Sequence, residues 1–106
     1  MNALPEIAHI SIALHTALSK EHVVDVFRHL GWRVRKCSWV DFEVASGWAE
    51  LILESDRPML FHGCVLEALP NAEPILVPLR EAGIGYDAEL YSEDRELLQE
   101  LRWRPS

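Results

Sequence analysis

Apolar and polar residues alternate with a period of two along the centre of the chain. The stretch from Arg33 to Ser55 shows this pattern on both sides of Ser46-Gly47. The first strand starts as early as Arg33, but its alternation fails at Lys36–Ser38, which predicts a bulge or a bend there. Such alternation predicts two strands with one buried face each, and the Ser-Gly pair predicts the tight turn that joins them. The inward residues of this predicted β-hairpin are Val40, Phe42, Val44, Ala49, Leu51 and Leu53.

Three other segments show strand patterns. Residues 6–14 alternate strictly, and Tyr86–Tyr91 predicts a strand late in the chain. Met59–His62 predicts a short strand, and Gly63 after it suits a bulge or a close approach of two backbones. The apolar side of the first strand consists of Ala8, Ile10, Ile12 and Leu14.

Two segments have the apolar spacing of helices. Ser19 is a suitable N-cap for a helix over Lys20–Leu30, and Gly31 is a suitable residue to end it. Asn71–Gly83 predicts a second helix, in which Pro78 would remove an internal hydrogen bond. The alternative is that this helix begins only near Pro78.

The C-terminal segment predicts a third, short helix. Ser92 is a suitable N-cap, and Leu97, Leu98 and Leu101 follow at helical spacing. These leucines and Trp103 must be buried against something. They pack either in the core of their own domain or on a neighbouring chain.

The order of these elements is β-α-β-β-(β)-α-β-α. Two βα units around a hairpin predict an α+β fold with the ferredoxin-like split βαβ arrangement. The sheet would be antiparallel, with the helices on one face. We expect residues 1–106 to form a single domain, because a chain of this length supports one core.

The other face of the predicted sheet follows from the same alternation. If the apolar residues face the helices, the opposite side carries mostly acidic residues, interrupted by aromatic and apolar groups. A basic cluster lies at one end of it, formed by Arg28, Arg33, Arg35 and Lys36. The residues of this candidate binding surface are Trp39, Asp41, Glu43, Glu50, Ile52, Glu54, Asp87, Glu89 and Tyr91.

Charge and cysteine content restrict the possible partners and location. A net charge of −7 argues against nucleic-acid binding, which needs a basic surface. No apolar run is long enough to span a membrane, and residues 1–14 lack the pattern of a signal peptide. Two cysteines do not make the disulfide framework of a small secreted domain. We therefore expect a cytoplasmic protein that binds neither nucleic acid nor membrane.

Few residues suggest chemistry. His62 and Cys64 would share one strand face, and together with His9 and Cys37 they are the candidates for a small-molecule or metal pocket. Their spacing matches no zinc-finger or ribbon pattern. Since no catalytic set, metal motif or cofactor motif is evident, we expect neither metal nor cofactor, and a protein that is not an enzyme.

Two functional hypotheses follow. The first is a non-catalytic protein-binding or regulatory module that uses the acidic sheet face. Its partner would be a second copy of the chain, in a homodimer, or a basic protein. The alternative is a small-molecule or metal-binding domain, possibly an enzyme, with a pocket near His9, Cys37, His62 and Cys64.

Overall fold

The computed structural model of the chain describes residues 7–55 and 58–105, with Ala68 and Leu69 described by their backbone alone. The helices are Lys20–His29 (α1), Ala68–Asn71 (α2) and Glu73–Glu81 (α3). The strands are Ile7–His15 (β1), Arg33–Lys36 (β2), Phe42–Ser46 (β3), Ala49–Glu54 (β4), Met59–Leu66 (β5), Gly85–Tyr91 (β6) and Leu97–Trp103 (β7).

The seven strands form one antiparallel sheet in the order β2-β3-β4-β5-β1-β6-β7. The first strand of the chain is therefore internal, between β5 and β6. The strands β2 and β7 are the two edges. This order places the N-terminal strand where it contributes a whole buried face to the core.

One side of the sheet carries the core. The alternate residues of β1 that the sequence pattern assigns to the buried side are at most 3% exposed. Each fully buried Leu, Ile or Phe contributes roughly 1.5–3 kcal/mol, so this face dominates the stability. The helices supply the matching layer from Val23, Val24, Phe27, Ile75, Leu76 and Leu79.

The first helix has the predicted ends. The Ser19 hydroxyl accepts a hydrogen bond from the backbone N–H of His22 at 3.3 Å, which satisfies a donor that the helix itself leaves open. Gly31 follows the helix with a φ of +92°. That conformation strains any residue with a Cβ, so glycine is the residue expected there.

The second predicted helix is also present, as α3 preceded by the single turn α2. It begins at Glu73 and continues through Pro78, so the alternative start near Pro78 is wrong. The backbone N–H of Ala82 still donates to the Pro78 carbonyl at 3.1 Å.

The predicted hairpin is a three-stranded meander, and its first strand is divided. Residues 37–41 form a loop between β2 and β3, so Trp39 and Val40 are 92% and 59% exposed instead of lying in a strand. The Ser38 hydroxyl accepts hydrogen bonds from the backbone N–H groups of Val40 and Asp41. Such local bonds compete with strand pairing. The loop therefore extends to Asp41, and β3 begins at Phe42.

The predicted terminal helix is wrong, because the segment forms the edge strand β7. Ser92 lies in the turn before it, where its N–H donates to the Glu96 carbonyl at 2.9 Å. Trp103 stacks on Tyr86 of β6, with ring centroids 6.3 Å apart. Pairing with β6 satisfies backbone groups that a helix here would leave open on that edge.

The α+β class and the antiparallel sheet are confirmed, but the sheet has seven strands, more than the ferredoxin-like arrangement predicts. Gly63 lies in β5 opposite Leu51 of β4. A Cβ at Gly63 would overlap the backbone carbonyl of Glu50. The predicted close approach of two backbones at this glycine is therefore present, at the centre of the sheet.

Candidate functional site

The side of the sheet opposite α1 and α3, called the open face below, has no helix packed on it in the described part of the chain. Strand register brings polar residues into rows that cross this face. One row crosses all seven strands through Arg35, Glu43, Ile52, His62, Ser11, Glu89 and Glu100. Residues far apart in sequence thus form a continuous surface.

Most of the predicted binding surface lies on this open face. Seven of the nine residues occupy outward positions of β3, β4 and β6, namely Glu43, Glu50, Ile52, Glu54, Asp87, Glu89 and Tyr91. The prediction is wrong for Trp39 and Asp41, which lie in the loop before β3. The Asp41 carboxylate lies 3.7 Å from Lys20 Nζ, toward α1.

Several acids on the open face are paired with basic groups. Glu43 accepts from Arg35 of β2 at 2.9 Å. Glu54 lies 2.8 Å from His62 Nε2 on the neighbouring strand β5. Exposed pairs of this kind contribute little stability, but they lower the charge that the face presents to a partner.

Asp87 is the centre of a cluster between β1, β6 and β7. Its carboxylate lies 2.9 Å from His15 Nε2 and 3.1 Å from Arg104 Nη2. The hydrogen bond from His15 lowers the pKa of Asp87, and the bond from Arg104 acts in the same direction against partial desolvation. Arg104 also donates to the Tyr86 carbonyl, so the cluster fixes the end of β7.

Glu89 and Glu100 lie directly opposite each other on β6 and β7. The Tyr91 hydroxyl donates to Glu89, and this bond, desolvation and the two negative charges raise the pKa of Tyr91. Like charges placed opposite each other destabilise a strand pair. Glu89 and Glu100 therefore form an acidic pair on the β7 side of the open face, next to Arg102 and Arg104. Arg33 and Arg35 lie on the β2 side.

Apolar groups interrupt the charges. Ile7 and Ile52 are each 37% exposed on outward positions of β1 and β4. Leu60 and Tyr91 are half-buried on outward positions of β5 and β6. Apolar groups surrounded by charge are typical of protein interfaces.

The four residues of the predicted pocket are not brought together. Cys64 Sγ lies 3.7 Å from His9 Nδ1 across β5 and β1, whereas His62 contacts Glu54. Cys37 is exposed in the loop after β2, at the far edge of the sheet. Within residues 7–55 and 58–105, no group of three or more His, Cys, Asp or Glu side chains is arranged to hold a metal ion.

Several depressions lie at the surface of the described residues. One of about 260 Å³ borders Cys64 and is lined by Ile7, Trp48 and Glu50 among others. A groove of about 470 Å³ lies where α1 begins, beside the exposed Trp39. The sequence pattern missed this groove, because it assigned Trp39 to a strand.

The β7 edge was missed as well. Leu97, Gln99, Leu101 and Trp103 occupy alternate positions, which is the strand signal that the leucine spacing concealed.

None of the helices described is long and apolar enough to cross a membrane. No family model matches the chain, and searches of curated proteins and of solved structures find nothing similar to it.

Proposed function

We propose that this domain is a non-catalytic protein-binding module that recognises its partner through the open face. The observation that carries the proposal is the row of outward side chains that crosses all seven strands without a covering helix. The partner is a second copy of the chain or a basic protein. In this role the domain works in the cytoplasm, where its two free cysteines stay reduced.

The size of the face supports this role. Seven strands spaced by about 4.8 Å span roughly 29 Å. That width accommodates the roughly 800 Å² that each partner buries in a typical stable interface. Ile52 lies near its middle and is half-exposed, so it is the apolar contact around which the charged residues form a rim.

The charge pattern supports a basic partner. Glu50 lies opposite Ala45 and Cys64, and Glu89 lies opposite Glu100. No basic side chain is opposite either glutamate in the described strands. Basic groups of a partner would supply the missing charges, speed association and make binding sensitive to salt.

The fold also permits a finer proposal. Without β2, β3, β7 and the single turn α2, the remaining order is β1-α1-β4-β5-α3-β6. This is the β-α-β-β-α-β order of ferredoxin-like domains. We propose that the chain is an elaboration of that arrangement, with two strands added at one edge and one at the other.

Affinity capture with matched variants tests the binding role. The double variant Glu50→Arg, Ile52→Asp changes the open face. As the control, Glu81→Arg reverses one exposed charge at the end of α3. We expect wild type and control to retain the same basic partner. The double variant should lose it, and salt should release it. Equal capture by all three proteins would contradict the proposal.

A second candidate is a small-molecule site at Cys64, favoured by its contact with His9 and the adjacent depression. Here His9 would accept the thiol proton and make Cys64 the faster nucleophile. Alkylation rates of Cys37→Ser and Cys64→Ser proteins compare the two exposed thiols directly. Equal rates, unchanged by His9→Ala, together with no thermal shift from any metabolite, would exclude this site.

A further inference from the structure

We propose that β7 pairs antiparallel with β7 of a second copy about a two-fold axis at Leu101, so that two seven-stranded sheets become one. The proposal goes beyond the proposed function, because it places self-association at the β7 edge instead of on the open face, and it names the register of that contact. The second copy joins the edge of the sheet and leaves the open face free for another partner.

The outer edge of β7 has no partner strand among the described residues. β7 is seven residues long, and no other described strand lies beyond it. Its outer backbone groups therefore lack strand partners, and such edges pair readily with another chain. Its register with β6 is irregular only next to Tyr91, so Gln99–Trp103 is regular and available for pairing.

The strand β7 also carries exposed apolar side chains. Leu97 and Leu98 are 50% and 44% exposed at the start of β7. Leu101 and Trp103 pack against the core but remain half-exposed. In a pair centred on Leu101, the second strand lies beside Gln99–Trp103 and would cover part of Leu101 and Trp103, while Leu97 and Leu98 lie outside the paired segment.

The charge pattern selects the register. In a pair centred on Leu101, Glu100 lies opposite Arg102 of the second copy, and the two-fold axis produces this contact twice. Centring on Glu100 or on Arg102 would instead place identical charges opposite each other. Centring on Gln99 would include the irregular start of the strand. Among these registers, only a pair centred on Leu101 places opposite charges of the two β7 strands next to each other.

The second copy would also improve an unfavourable contact within each chain. Glu100 faces Glu89 across β6 and β7, and Arg102, whose Nε lies 3.9 Å from Asp87 Oδ1, keeps 75% of its side chain exposed. In the pair, Arg102 of the second copy lies beside Glu100 and offsets the repulsion from Glu89. The gain is present only in the dimer, so it favours association.

Charge-reversal variants test this register. Glu100→Arg places arginine opposite Arg102, and Arg102→Glu places glutamate opposite Glu100, so each single variant should be monomeric. Mixing the two should restore a dimer, because the strands of the two variants are complementary. Wild type should show twice the 12.1 kDa chain mass by sedimentation equilibrium, with a dissociation constant on the order of micromolar for so small an interface.

Three controls make the test decisive. Arg33→Glu on β2 and Glu81→Arg on α3 reverse charges elsewhere and should leave the dimer intact. Circular dichroism checks that each variant is folded. The open-face variant Glu50→Arg, Ile52→Asp should still dimerise through β7, even where it has lost the partner of the proposed function.

Three outcomes would overturn edge pairing. One is a mass of a single chain at every concentration. Another is a dimer that Glu100→Arg leaves unchanged, and the third is a mixture of the two single variants that stays monomeric. A dimer broken by the open-face variant and not by Glu100→Arg would also exclude edge pairing, while it would support the proposed function.

Discussion

The two edges of the sheet differ in length and in charge. β2 has four residues, of which Arg33, Arg35 and Lys36 are basic. β7 has seven residues and only two charges, Glu100 and Arg102, of opposite sign. A short edge with like charges repels a second copy of itself, which is a common protection of sheet edges. The longer edge lacks that protection and carries a self-complementary pattern.

The edges are also attached to the core differently. Val34 is the inward residue of β2 that packs against the core, whereas Leu101 and Trp103 do so from β7. Trp103 stacks on Tyr86, and Arg104 bonds to Asp87 and to the Tyr86 carbonyl. Because these contacts fix β7 in an extended conformation, its outer backbone groups are positioned to pair with another strand.

The largest effect is expected at the centre of the sheet, on which both edges depend. Gly63→Ala places a Cβ against the backbone of Glu50 and Leu51. Backbone cannot move aside as a flexible side chain does, so we expect unfolding to become easier by about 3 kcal/mol. Gly47→Ala in the β3–β4 turn, where a Cβ meets nothing within 4 Å, is the control. Equal urea midpoints for the two variants would contradict the close approach.

The second-largest effect compares how much the packing of β7 and of β2 on the core stabilises the fold. Trp103→Ala removes a half-buried ring from β7, and we expect a loss of about 2 kcal/mol. Val34→Ala removes two methyl groups from β2, and we expect a loss of about 1 kcal/mol. Urea unfolding of both variants at one protein concentration measures the difference. A larger loss for Val34→Ala would mean that β2 is the better anchored edge.

Reversing one charge should change the stability of the monomer in opposite directions at the two edges of the sheet. Arg35→Glu faces Glu43 and should destabilise the fold by about 0.5 kcal/mol. Glu100→Arg faces Glu89 and should stabilise the monomer by a similar amount, although it breaks the proposed dimer. Thermal unfolding at low protein concentration measures both changes. If the unfolding temperatures of the two variants shift in the same direction, the strand register at one edge is wrong.

The smallest effect is the pH dependence of the β7 attachment. Since Asp87 has a pKa below its ordinary value in the folded chain, its carboxylate stabilises the fold above the unfolded pKa of about 3.9. That contribution is lost as the pH falls through the lower folded pKa. Asp87→Asn should therefore be less stable than wild type at neutral pH and less sensitive to acid. Parallel urea midpoints for both proteins from neutral to acidic pH would contradict this.

Local patterns predicted the parts of the fold that local forces decide. The strand β1 and the helix α1 were predicted almost to the residue, because their alternation, their cap at Ser19 and their stop at Gly31 lie within the elements themselves. The same alternation placed seven residues of the candidate surface on the correct face. It failed at Trp39, because hydrogen bonds to the Ser38 hydroxyl end the pattern there.

The C-terminal segment shows where local patterns are insufficient. The leucines of residues 97–101 satisfy the spacing of a helix as well as the alternation of a strand. The choice depends on the open edge of β6 and on the ring of Tyr86, which Trp103 covers. Neither is visible from the segment itself, because the partner strand is contributed by a different element of the chain.

The sequence by itself therefore determined the α+β class, the buried faces of β1, β3, β4 and β6, and the parity of the open face. Only the tertiary structure decided which charges meet, as when His15 and Asp87 come together across 72 positions of sequence. It also decided that Leu97–Trp103 forms an edge strand. The physical reason is that burial alternates locally along a strand, while strand neighbours are selected by pairing over the whole sheet.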